Sequence, residues 1–230
     1  MKQAIWRRIG PLTGLLSIAL TFAGLSVHGY PDIKPSDAQL ARWLATVDVN
    51  SFKVGIYVEA LGIVLLVPFA AWLYSHLRKG ARDSSWLPVA MLAAAAAHVT
   101  LTLPINETYV GLVDQARKGL DIQLAQTIIS INQEWFDMTG IIMGLFLVAA
   151  GAAMIRGGAM SHWAAWAAIL IGLTQVVTSP IGLASTPATI LPYVWILAVA
   201  GYYTVRPGRE RAAVAGTVQA SAASGLPATS

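Results

Sequence analysis

Cysteine is absent from the 230 residues, which excludes disulfides, thiolate metal centres and a cysteine nucleophile. Charge is nearly as scarce. Asp, Glu, Lys and Arg make up 11% of the chain, against about 25% in an average soluble domain. There are four histidines, too few for the imidazole-rich centre of a membrane di-iron oxygenase. No H-E-x-x-H, G-x-S-x-G, Walker loop or dinucleotide glycine pattern occurs. The local signatures of zinc peptidases, serine hydrolases and nucleotide-binding folds are therefore missing. The net charge of +4 does not indicate a nucleic-acid partner, because the basic residues are scattered at the ends of apolar runs and do not form a patch.

Apolar length is what the chain has. Hydrophobic residues make up 56% of it, and four runs carry no charge: Ala60 to Leu77, Ser84 to Asn106, Met138 to Ile155, and Gly157 to Val205. A helix needs about 20 apolar residues to cross the roughly 30 Å hydrocarbon core. Each of the first three runs fits one span. The fourth is long enough for two, with a turn at Thr178-Ser179-Pro180 to Thr186-Pro187. Pro11 to His28 adds a further span, since it is long for a signal-peptide h-region and no A-x-A-like site follows it. The expected fold is an all-α bundle of six transmembrane helices over residues 1–205. Residues 206–230, rich in Ala, Ser, Gly and Thr, read as a disordered cytoplasmic tail.

Orientation follows from the fifteen basic residues. With the N-terminus inside, only Lys34, Arg42, Lys53, Arg117 and Lys118 fall in outer loops. Basic residues favour the cytoplasmic side, so both termini are expected in the cytoplasm of a bacterial-type cell with the chain in its inner membrane. The two outer loops are long. Residues 29–52 contain Ser36-Asp37-Ala38-Gln39, a capping-box pattern that starts a short helix whose Leu40, Trp43 and Leu44 suit the membrane interface. Residues 105–133 read as one or two amphipathic helices, continuous with the fourth span or separate from it.

The polar residues inside the apolar runs are concentrated on the outer side. If the third span ends near Pro104, His98 lies about 9 Å below the outer surface, and Glu59 lies about 9 Å below it on the second span. An ionisable group in hydrocarbon is costly and normally faces the bundle interior. Glu59 and His98 are therefore expected to share a site, as candidate acid–base residues together with Asp137. His28, Tyr57, Thr102, Asn106, Glu134, Trp135 and Gln175 are candidates for lining it. Glu134 and Asp137, a helical turn apart, are expected to look toward His98. Gly140-x-x-x-Gly144 is a small-residue packing motif. A mixed site of His28, Glu59, His98 and Asp137 is chemically reasonable for zinc but has no local signature, so no metal or cofactor is assigned.

Two resemblances bear on this. The stretch from Pro35 through Arg78, with DAQLARWLA and then GIYVEALGIVLLVPFAAWLYSHLR, resembles an actinobacterial family of small multi-pass membrane proteins of unknown function. Separately, HVTLTLPINETY followed by Trp135 is similar to the T-x-x-x-P-x-N…W pattern of anthrone-oxygenase-like membrane proteins. Those have about four spans and carry an arginine soon after the tryptophan, which is absent here.

The chemistry expected is an outward-facing polar pocket for a lipophilic, isoprenoid-like molecule drawn from the bilayer. A cofactor-free acid–base enzyme, a non-catalytic binding or accessory protein, and a small-solute transporter all remain open.

Overall fold

The computed structural model describes residues 2–32, 34–78, 86–157, 161–181 and 187–205. The expected tail, 206–230, lies outside the described residues. Within them the regular structure is helical: α1 (Lys2–His28), α2 (Asp37–Thr46), α3 (Val49–Val64), α4 (Leu66–Leu77), α5 (Leu87–Ala116), α6 (Ile122–Gly157), α7 (His162–Thr178) and α8 (Leu191–Val205). Four segments are long and apolar enough to cross a membrane, namely Ile9–His28, Val49–Leu77, Leu87–Ala116 and Ile122–Gly157. α7 and α8 are shorter apolar helices. The chain is therefore a membrane-embedded helical protein with at least these four candidate spans.

Proline chemistry shapes two of the segments. Val49–Leu77 is broken between α3 and α4 at Leu65, three residues before Pro68. Proline offers no amide to the preceding turn, and its ring crowds the carbonyl four residues back. Pro104 was expected to kink or end the third span, yet α5 runs through it to Ala116. The turns beyond Pro104 are held by packing: Ile105, Tyr109, Leu112 and Val113 are all buried, and tertiary contacts outweigh the one lost amide. α6 runs unbroken from Ile122 to Gly157, so the outer amphipathic stretch is continuous with the fourth span, one of the two alternatives expected. A turn with Gly119 at φ +87° joins the two long helices.

The apolar interior divides in two. The larger cluster gathers Ile63, Phe69, Leu73, Met91, Phe146, Leu147, Trp195 and Ile196 from α3 to α8. The smaller joins Leu40, Phe52, Ile56, Ile105, Tyr109, Val113, Ala125 and Ile129 from α2, the start of α3, and the outer turns of α5 and α6. The Ser36 capping box is formed as expected, with Gln39 N–H donating to the Ser36 hydroxyl and Ser36 N–H donating to Gln39 Oε1. The placement of α2 differs from expectation, however. Its apolar face lies on protein: Leu40 is fully buried, and Trp43 meets Phe52 edge-on. Gln126 and Gln123 of α6 also donate to the Pro35 carbonyl and the Asp37 carboxylate. A surface already formed by α5 and α6 takes the place of the lipid interface.

Glycine sets the closest helix contacts. A Cβ on Gly144 would come within 2.6 Å of the Gly172 carbonyl, and one on Gly172 equally close to the Gly144 carbonyl. The α6–α7 backbones therefore touch where the small-residue motif was expected to act. α1 and α3 approach in the same way at Gly24, Gly55 and Gly62, where the Ser17 hydroxyl donates to the Gly62 carbonyl (2.6 Å).

Candidate functional site

Between the two apolar clusters lies a band of buried polar side chains: Glu59, His98, Thr102, Asn106, Asn132, Thr139, Gln175 and Ser179. It resolves into two centres.

The first stands where α1, α3 and α5 meet. α1 ends at His28, and Gly29, at φ +58°, turns the chain so that Tyr30 folds back over the helix end. Left-handed backbone of this kind favours glycine. His28 Nε2–H donates to Glu59 Oε2 at 2.9 Å, and the Tyr30 hydroxyl donates to the same oxygen, also at 2.9 Å. The Tyr30 oxygen lies 3.2 Å from Asn106 Oδ1 as placed, but one phenol hydrogen cannot serve two acceptors. Amide oxygen and nitrogen are assigned from such networks. With the Asn106 amide turned over, its Nδ2–H, otherwise buried without a partner, donates to the phenol oxygen instead. Burial first, and then the Glu59 carboxyl, hold the Tyr30 phenol well above its ordinary pKa, so it remains a donor. The His28 side chain is fully buried, and Phe52 and Tyr30 meet its ring edge-on. This centre is locked by those bonds, with His28 Nδ1 left buried and without a partner.

The second centre is two helical turns away along α5. His98 Nδ1 lies 3.1 Å from the Thr139 carbonyl. A carbonyl only accepts, so Nδ1 carries the hydrogen and Nε2 presents a lone pair. No described residue takes that lone pair, and His98 lines a cavity of about 20 Å³ with Phe136, Thr139, Gly140, Met143, Gln175, Thr189, Pro192 and Tyr193. Such a space holds about one water molecule. Thr189 Oγ1 is buried without a partner. This centre is open.

Several expectations change here. Glu59 and His98 do not form a pair. Because α5 continues past Pro104, Asn106 rather than His98 stands beside Glu59, and eight residues of helix separate the two by about 12 Å along the axis. Thr102 is buried between them but bonds the His98 carbonyl of its own helix (2.7 Å). Gln175 lines the cavity. Glu134 and Trp135 are exposed and Asp137 is half-buried. Neither carboxylate residue lines the His98 cavity. At about 100° per residue Glu134 lies about 120–140° around α6 from Thr139 and Gly140, and Asp137 about 60° from Gly140 at the edge of that face. Tyr57 is 53% exposed on the outer face of α3. No three His, Asp or Glu side chains converge among the described residues. Tyr30, Thr189 and Tyr193 were missed. Tyr30 left one signal, the glycine beside it at a helix end. Thr189 and Tyr193 left none in an apolar stretch.

The profile of a family described as a domain of unknown function, DUF4386, matches residues 12–206. The chain belongs to the DUF4386 family. No curated protein and no solved structure matches it. The DUF4386 match takes in most of α1 and all of α2 to α8, so both polar centres lie within the family's domain. It agrees with the likeness to multi-pass membrane proteins of unknown function and carries no link to anthrone-oxygenase-like proteins. In that second pattern, Asn106 is buried in the locked centre while Trp135 is exposed, so the two residues do not share a site.

Proposed function

We propose that this chain is a six-span inner-membrane protein, with both termini cytoplasmic, that binds a lipophilic molecule in its outer half at the His98 centre. α7 has 17 residues, within the range of about 17–25 that crosses a bilayer. The 15-residue α8 is lengthened by the 3-10 turn Pro187–Ile190. With the four longer segments these make six. The ten-to-five partition of basic residues supports the orientation.

One observation carries the binding reading: a buried imidazole, with one nitrogen bonded to no described residue, belongs to a residue that lines a mostly apolar cavity. Buried polar groups are normally satisfied, and small-molecule sites join apolar walls to a few placed polar groups. The test is mild-detergent extraction of the full chain, with mass spectrometry of the apolar molecules it retains. Wild type is expected to hold a molecule that Met143→Phe, which fills the cavity, loses while keeping its helical circular dichroism. The same cargo in both proteins would contradict the reading.

A second reading, proton transfer on the bound molecule, draws support from the Tyr193 phenol lining the same cavity as the His98 lone pair. A base and an acid would then flank one site. Loss of turnover with retained binding in His98→Gln distinguishes catalysis from binding alone.

A further inference from the structure

The geometry points to a hydroxyl group, carried by an otherwise apolar alcohol or phenol, as the ligand feature recognised at the His98 centre. This rests on the lipophile-binding reading and names the chemical class. Three residues that line the cavity carry hydrogen-bonding atoms that no described residue uses. His98 Nε2 offers a lone pair, since Nδ1–H is committed to the Thr139 carbonyl. Thr189 Oγ1 is buried and unpartnered. The Tyr193 ring packs edge-on against Phe22, while its hydroxyl bonds no described residue. His98 is 6% exposed, so its lone pair is a built-in demand and not surface polarity.

The demands select among functional groups. Nε2 needs a donor, whereas the Thr189 and Tyr193 hydroxyls each have a hydrogen to give. A carbonyl or ether oxygen accepts but cannot donate to Nε2. A carboxylate has the same defect and adds a buried charge with no cation beside it. An ammonium donates but cannot accept. A hydroxyl has one hydrogen and two lone pairs, which matches one acceptor and two donors. The volume also matches, because about 20 Å³ admits one oxygen and little more. The rest of the molecule must leave the cavity past Phe136, Met143 and Pro192, which are apolar. Phe136 is 40% exposed and marks the rim at the outer surface of the bundle. Water has the same inventory, and the test must separate the two.

The experiment uses the full chain in lipid nanodiscs with ¹⁵N-labelled histidine, titrated with 1-dodecanol, 1-methoxydodecane or dodecane. Dodecanol is expected to move the His98 Nε2 resonance in the direction of an accepted hydrogen bond, with the ether and the alkane leaving it in place. Thr189→Val, which keeps the shape and removes the hydroxyl, should weaken the dodecanol response by about two- to tenfold, one neutral hydrogen bond's worth. Equal responses to all three probes would overturn hydroxyl recognition while leaving the lipophile pocket standing. An Nε2 already hydrogen-bonded without probe and unmoved by dodecanol would mean water only, and would overturn the proposal. Silence toward every probe, with Met143→Phe also unchanged in its retained molecules, would overturn the pocket itself.

Discussion

Tyr30 lies outside the apolar runs, yet it closes the locked centre. Its hydroxyl supplies one of two hydrogen bonds to a single Glu59 oxygen, and burial keeps it protonated. Tyr30→Phe removes one bond and leaves a buried acceptor under-satisfied. Leaving a buried hydrogen-bonding group short of a partner costs about 1–3 kcal/mol, and a loss of that order is expected in SDS-titrated unfolding. No loss would mean that solvent replaces the phenol. Asp48 acts at the other edge of the same region. It caps α3 by accepting from Ser51 N–H (2.7 Å), and that bond holds its carboxyl below the ordinary carboxylate pKa. A depressed folded-state pKa gives stability that is present above the unfolded value and fades as pH falls through the folded one. The difference in melting temperature between wild type and Asp48→Asn should therefore be constant at neutral pH and shrink in acid. A difference that grows in acid would contradict the cap.

At the scale of the helix, side-chain size decides how closely neighbours approach. Gly172 touches the Gly144 backbone, while Gly111, also helical, has nothing within 4 Å of where a Cβ would stand. Alanine exceeds glycine in a helix by about 0.5–1 kcal/mol. Gly111→Ala should raise stability by that amount and Gly172→Ala should lower it, as read in the same unfolding assay. If both changes stabilise, the α6–α7 contact is looser than described. Elements were legible in the sequence where one local rule governs them. Absence of charge marked the long spans, Ser36 and Gln39 announced α2, and Gly140-x-x-x-Gly144 announced a close crossing. The ends of the helices were less legible, because Pro104 signals a stop that packing around Tyr109 and Val113 overrides. Rotation was not legible at all. Depth along a helix says how far in a residue sits, and says nothing of which neighbour it meets. Glu59 therefore found His28 and Tyr30 in place of His98, and Asp137 is not among the residues that line the cavity.

For the whole molecule, the proposed orientation places Ser51 and Thr108 outside. Both are exposed, and single cysteines there should react with an impermeant maleimide on intact cells, whereas one at Ser224 should not. Labelling at Ser224 alone would invert the topology. The polar band then lies toward the outer side, between the membrane core and a cap built by α2 and the outer turns of α5 and α6. Its central property is division: a locked centre at Glu59 that holds α1, α3 and the cap together, and an open centre at His98 available to a ligand. Residues in contact couple energetically, and separated ones add within about 0.3–0.5 kcal/mol. Two double-mutant cycles on unfolding free energy measure this directly, one pairing Glu59→Ala with His28→Ala and the other pairing Glu59→Ala with His98→Ala. A coupling of about 0.5–3 kcal/mol is expected in the first cycle and simple additivity in the second. Additivity with His28 and strong coupling with His98 would mean that the carboxyl and the pocket imidazole form one site, contradicting the division.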